Sequence, residues 1–250
     1  MAGTKPSRDT PLPVSVPVLL SFVAGYVDSY TYLALFGLFA AQVTGSFVIA
    51  GGEVITHDFG VVGKALAVLA FVLAAALTAG LVVLAREYTR TPLPWMLALE
   101  TALLAVFVAL ILFGPAIQNA RDWHGIVAGL FAAMAMGAQS VLVRLLMKGI
   151  PQTNVMTGNM TQLGIATTDL ILAWRRLRHS RHTRADLREF TEVRRQLLTV
   201  LFIALGFLIG AAAGATGFVF TGLRGAILAV AIVGALALWA LFRERSERSA

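Results

Sequence analysis

The chain has 250 residues, of which 58% are hydrophobic and only 13% charged, with a net charge of +7 and no cysteine. A charged fraction about half that of soluble domains excludes an ordinary soluble core. The lack of cysteine excludes disulfides, thiolate catalysis and cysteine-held metals. The positive charge is not spread as a nucleic-acid surface: eight of the 20 Lys and Arg fall between Arg175 and Arg195, and most of the rest sit at the ends of apolar runs. That is the pattern of membrane orientation, so no nucleic-acid partner is expected.

Residues 1–14 are polar and Pro-rich, with no short apolar core followed by a cleavage site, so no removable signal peptide is expected. Six apolar runs follow, each of roughly 18 or more residues and so long enough to cross a hydrocarbon layer about 30 Å thick. They are 16–39, 61–85, 95–113, 124–147, 197–220 and 225–242. The first carries Asp28 and the tyrosines Tyr26, Tyr30 and Tyr32. Between the first two lies 41–56, apolar but too short for a full crossing. Between the fourth and fifth lies 157–174, rich in Thr and Gly, followed by the basic loop 175–195.

These two interruptions echo each other. Residues 25–46 read GYVDSYTYLALFGLFAAQVTGS and 137–159 read GAQSVLVRLLMKGIPQTNVMTGN. In each, a Gly is followed twelve residues later by another, Gly25 by Gly37 and Gly137 by Gly149, and then by Thr44-Gly45-Ser46 or Thr157-Gly158-Asn159. The chain therefore reads as one all-α polytopic membrane domain, 1–250, built from two three-span repeats, 15–113 and 123–242. Each repeat holds a short re-entrant or broken helix at its Thr-Gly motif. Three spans per unit force the two units into opposite orientations, as in inverted-topology repeats.

Counting Lys and Arg by loop puts both termini and the basic loop in the cytoplasm, leaving Lys64, Arg121 and Arg224 outside. The expected geometry at each interruption is extended chain entering and helix leaving, with Thr capping the first free N–H groups and Gly allowing the turn.

The stretches 25–45, 136–144 (MGAQSVLVR) and 153–164 (TNVMTGNMTQLG) resemble the YoaK family of uncharacterised bacterial integral membrane proteins, a domain-of-unknown-function family. The resemblance covers nearly the whole chain. It implies a multi-pass protein of the bacterial plasma membrane and carries no settled activity. This chain has Ser46 where the family usually repeats Thr-Gly-Asn, and Gln139-Ser140 where it commonly has Gln-Asn.

The candidate substrate-binding or coupling residues are Asp28, Thr44, Gly45, Ser46, Gln139, Ser140, Thr157, Gly158 and Asn159. Asp28 lies inside a span, where a bare carboxylate costs a few kcal/mol or more. It reads either as a proton- or cation-coupling group or as a structural carboxylate bonded to neighbouring backbone. The paired helix starts, if they meet, would offer partial positive charge to an anion or polar solute. Glu100 is expected to pair with Arg144 or reach the interface. Glu53, His57 and Asp58 make too mixed a group for a metal, and His179 and His182 read as solvated.

Gly206, Gly210 and Gly214 form a small face for close helix packing. No catalytic motif is present. No cofactor, metal or catalytic residue is expected. The expected partners are the lipid bilayer, anionic lipid head groups at the basic loop and an unidentified small solute, and homo-oligomerisation is left open.

The leading function is a small secondary transporter or permease for a small polar or anionic solute. The alternatives are a non-catalytic scaffold or sensor that binds lipid or protein, and an intramembrane enzyme using Asp28 and Glu100 as acid and base.

Overall fold

The computed structural model describes residues 12–56, 60–89, 91–179 and 184–249. Every regular element among them is helical. In chain order they are α1 (Ser15–Ala34), α2 (Val43–Thr56), α3 (Val61–Tyr88), α4 (Leu93–Phe113), α5 (Trp123–Leu146), α6 (Met156–His179), α7 (Arg184–Thr221), a 3-10 turn (Gly222–Ala226) and α8 (Ile227–Ser249). Pro92 and Pro94 at the start of α4 and Gly114 at its end set its limits, because proline suits a first turn and Gly114 leaves the helical region.

Four stretches are long and apolar enough to cross a membrane: Val61–Tyr88, Leu93–Phe113, Trp123–Leu146 and the continuous Arg184–Ser246, which contains α7 and α8. The protein is thus an all-helical membrane-type chain. α1 falls outside that group because Ser21, Asp28, Thr31 and its tyrosines dilute its apolar residues, and it is the helix most enclosed by the others. Thirteen of its 20 residues are buried, and it packs on α7, α8 and α5. Polar side chains inside a membrane belong in such an interior position.

Two helix pairs form the core. α1 runs parallel to α7: a Cβ on Gly206, Gly210 or Gly214 would strike the backbone of Val18, Phe22 or Tyr26, and one on Gly25 would strike the Phe207 carbonyl. α3 runs parallel to α5: a Cβ on Gly137 would strike the Phe71 carbonyl, and Arg86 donates to the Leu145 carbonyl at 2.9 Å. Small residues allow this backbone-to-backbone approach, which is how helices gain contact area where water supplies no driving force. The Gly206/Gly210/Gly214 face expected from the sequence is the α1–α7 seam. The two pairs meet where α1 packs on α5; α4 packs on α5 and α8, while α2 lies on α3 and α6 on α7.

The basic stretch 175–195, expected as a loop, is mostly helix. It forms the last turn of α6 and the first three turns of α7, clipped by Arg176–Glu189 at 2.8 Å. His182 lies outside the described residues, as do His57 and Asp58.

Candidate functional site

Each interruption is an extended segment that folds back along the helix it follows. α1 ends at Ala34, Gly37 takes φ +82°, and α2 begins at Val43; α5 ends at Leu146, Gly149 takes φ +77°, and α6 begins at Met156. The second Gly of each sequence echo is therefore the residue that reverses the chain, in a left-handed conformation that glycine adopts without steric cost.

Polar side chains of the preceding helix pin each returning segment. In the first, Asp28 Oδ1 accepts the backbone N–H groups of Ala41 at 2.6 Å and Gln42 at 3.4 Å. In the second, Ser140 Oγ accepts from Asn154 Nδ2 at 2.6 Å, and Gln139 Nε2 donates to Thr153 Oγ1 and the Leu20 carbonyl, both at 2.8 Å. Asp28 and Ser140 each stand six residues before the end of their helix. Each segment thus returns about 9 Å along it at 1.5 Å per residue.

The helix starts are braced alike. Ser46 Oγ donates to the Phe39 carbonyl at 3.3 Å and Asn159 Nδ2 to the Gln152 carbonyl at 2.7 Å, both reaching seven residues back. Ser21, on α1, ties the second segment to α7 by donating to the carbonyls of Thr153 and Ile203 at 2.9 and 2.8 Å.

Several expectations change. Thr44 and Thr157 do not cap: each sits one residue inside its helix, on an exposed face, and neither hydroxyl oxygen accepts a backbone N–H. The two Thr-Gly starts are not brought together either. α2 packs on α3 and α6 on α7, with Thr44, Thr157 and Gly158 facing away from the core and Gly45 against the Phe39 ring. The residues the structure does gather are Asp28 with the chain just before Thr44, and Gln139 and Ser140 with the chain just before Thr157.

Glu100 does not pair with Arg144. It is fully buried on α4, neither carboxylate oxygen has a hydrogen-bond partner, and Arg144 is exposed.

Lys64 is not a solvated loop charge. It is 2% exposed, bonds Glu53 at 2.6 Å and reaches the Phe36 carbonyl at 3.4 Å, fastening α2, α3 and the α1–α2 turn together. Glu53 is thereby a structural partner, and no group of three potential metal ligands exists among the described residues. Sequence reading also passed over Ser21, Thr153 and Asn154. The first looks like any serine in an apolar helix, while Thr153 and Asn154 lie inside the matched segment and carried that signal.

The sequence model of one family, protein of unknown function (DUF1275), matches residues 16–240. The chain belongs to this family. The match runs from the second residue of α1 into α8, so both interruptions and all the residues above lie within the DUF1275 region, in line with the YoaK-type resemblance. No curated protein and no solved structure matches the chain.

Proposed function

We propose that this DUF1275 protein is a small permease for a small polar or anionic solute. It has six spans in two inverted units, 15–113 and 123–242, and both termini and the 175–195 stretch lie in the cytoplasm. The observation that carries the reading is the pair of returning segments pinned at one register by Asp28 and by Gln139 with Ser140. Non-helical backbone at membrane depth persists only where protein buries it or a cavity needs it. Building it twice, each time with buried polar groups, is costly for a simple anchor. The matched contacts Gly25–Phe207 and Gly137–Phe71 further support the inverted repeat.

The solute path runs along α1 and α5, past Asp28, Gln139 and Ser140, rather than between the two Thr-Gly starts. Ser46 and Asn159 hold the segments from behind, and Thr44, Gly45, Thr157 and Gly158 form their outer wall. The arginines from Arg175 to Arg195 attract anionic lipid head groups, each charge contributing about 1 kcal/mol near a surface.

The test is uptake into liposomes holding the purified protein, over a panel of radiolabelled carboxylates, amino acids and polyols. At least one class should enter faster than into protein-free vesicles, and Gln139→Leu should abolish that excess. If no class moves, the permease reading fails. For topology, a cysteine at Arg184 should resist an impermeant maleimide added to intact cells; labelling there would reverse the orientation.

A further inference from the structure

Most of the large buried polar side chains make at least one hydrogen bond or ion pair: Asp28, Lys64, Gln139, Asn154 and Asn159 all do. Glu100 does not. It is fully buried with both oxygens unpartnered, on α4, the helix that packs on α5 of one core pair and on α8. α4 carries no other titratable group. The ionisable groups on the elements packed against it are His124 and Arg144 on α5, Arg224 on the 3-10 turn, and Arg243, Glu244, Arg245, Glu247 and Arg248 on α8. His124 is bonded to the Leu110 carbonyl, Arg144 is exposed, Arg224 lies beyond the far end of α4, and the α8 charges begin four residues past Trp239. Among the described residues no basic group lies within ion-pairing distance of Glu100.

We propose that Glu100 is a proton-binding site at the seam between the two halves, and that the ion driving the proposed permease is the proton; this rests on the permease reading. An unpaired carboxylate enclosed by hydrocarbon costs several kcal/mol or more, whereas the carboxylic acid needs one acceptor. Gln139 Oε1 is also buried and unpartnered, and it stands on the antiparallel neighbour α5. The His124–Leu110 contact sets the register of the two helices and leaves Gln139 about 7.5 Å from Glu100 in depth, one residue level deeper than a single turn.

Gln139 in turn holds Thr153. In this proposal the neutral acid lets the α4 seam stay closed beside the helix that holds that segment. Loss of the proton requires water or a cation to enter the α4 seam, which loosens the contact between the halves. Asp28 differs in that its Oδ1 accepts two backbone N–H groups, which favour the carboxylate, so that only Oδ2 is left buried without a partner.

The experiment has an arm that needs no solute. Dicyclohexylcarbodiimide is an apolar reagent that adds whole to a carboxylic acid in hydrocarbon: the acid proton goes to nitrogen, the carboxyl oxygen bonds the central carbon, and rearrangement leaves a stable N-acylurea. Protein in liposomes at neutral pH should carry the adduct on the α4 peptide and not on the Asp28 peptide. Glu100→Gln should lose it, and alkaline pretreatment should diminish it. Glu100→Asp guards against misfolding and should keep part of the labelling.

Absence of the adduct from wild-type α4, or equal labelling of Asp28, overturns the site whatever the uptake result. Where a solute does move, Glu100→Gln should lose the dependence on an imposed pH gradient. Retained dependence overturns the coupling role while leaving the permease standing.

Discussion

Replacing Lys64 with Met tests what fastens the first returning segment. Lys64 is 2% and Glu53 16% exposed, so the pair is largely removed from water, and deleting Lys64 takes away the cation that Glu53 faces. Breaking a buried pair in this way costs about 3–5 kcal/mol. Removing both charges, as Lys64→Met with Glu53→Leu, should recover most of that and could exceed wild type, since such replacements are neutral or stabilising by about 1–4 kcal/mol. The second half already shows the apolar solution. The register that aligns Ser46 with Asn159 and Phe71 with Phe207 puts Ala166 and Val200 where Glu53 and Lys64 stand, and both are buried.

The assay is thermal unfolding of the four proteins of the cycle in one detergent, followed by tryptophan fluorescence. At about 2–4 °C per kcal/mol for a chain of this size, Lys64→Met should melt roughly 6–20 °C below wild type. A single variant melting within about 2 °C of wild type, or a double variant no better than the single, would refute the account of the pair.

Gly210→Ala places a methyl group into the Phe22 backbone and should cost about 1–3 kcal/mol or more. Gly51→Ala, in open space on α2, should stabilise by about 0.5–1 kcal/mol and so raise the melting temperature slightly. Asp28→Ala leaves the Ala41 and Gln42 N–H groups without their acceptor, at about 1–3 kcal/mol. Asp28→Asn keeps an oxygen and should lose less, and a single cysteine at Gln42 should become more reactive in the first variant than in the second. Outside the membrane segments, hydrogen bonds from the Gln118 and Asn119 backbone N–H groups hold the Asp122 carboxyl below its ordinary value of 3.8. A depressed folded value contributes stability above 3.8 that is lost as the pH falls through the folded value, so wild-type and Asp122→Asn melting curves should differ at neutral pH and converge in acid.

What the sequence disclosed was mostly backbone demand. Gly37 and Gly149 stood out only as the second glycine of each echo, and the structure puts the reversal at both, whereas Gly45 and Gly158, where the turn was expected, lie inside α2 and α6. Gly206, Gly210 and Gly214 were legible because a four-residue spacing keeps one helix face small. Which groups would partner across the fold was not legible. Lys64 sits at a run end, where charge-counting assigns every lysine to water, and only the return of α2 along α3 brings Glu53 to it. Glu100 looked ready to meet Arg144 because both lie toward the same end of their apolar runs, but the α4–α5 register leaves them about 15 Å apart in depth, and Arg144 faces outward. The Thr-Gly motifs marked the helix starts to within a residue, yet their hydroxyls face outward. The bracing falls to Ser46 and Asn159, two residues further on.

The parallel seam between α1 and α7 also sets a schedule for assembly. Ser21 and its partner carbonyl at Ile203 are 182 residues apart in the chain. At a synthesis rate of about 5–20 residues per second, α1 therefore emerges roughly 10–40 s before the helix that covers it. During that interval the carboxylate of Asp28 has only its own returning segment for company, and the glycine-lined groove it needs does not yet exist. Neither half can close its core alone, because each lends a central helix to the other. Release of α1 into lipid has to wait until nearly the whole chain has been made.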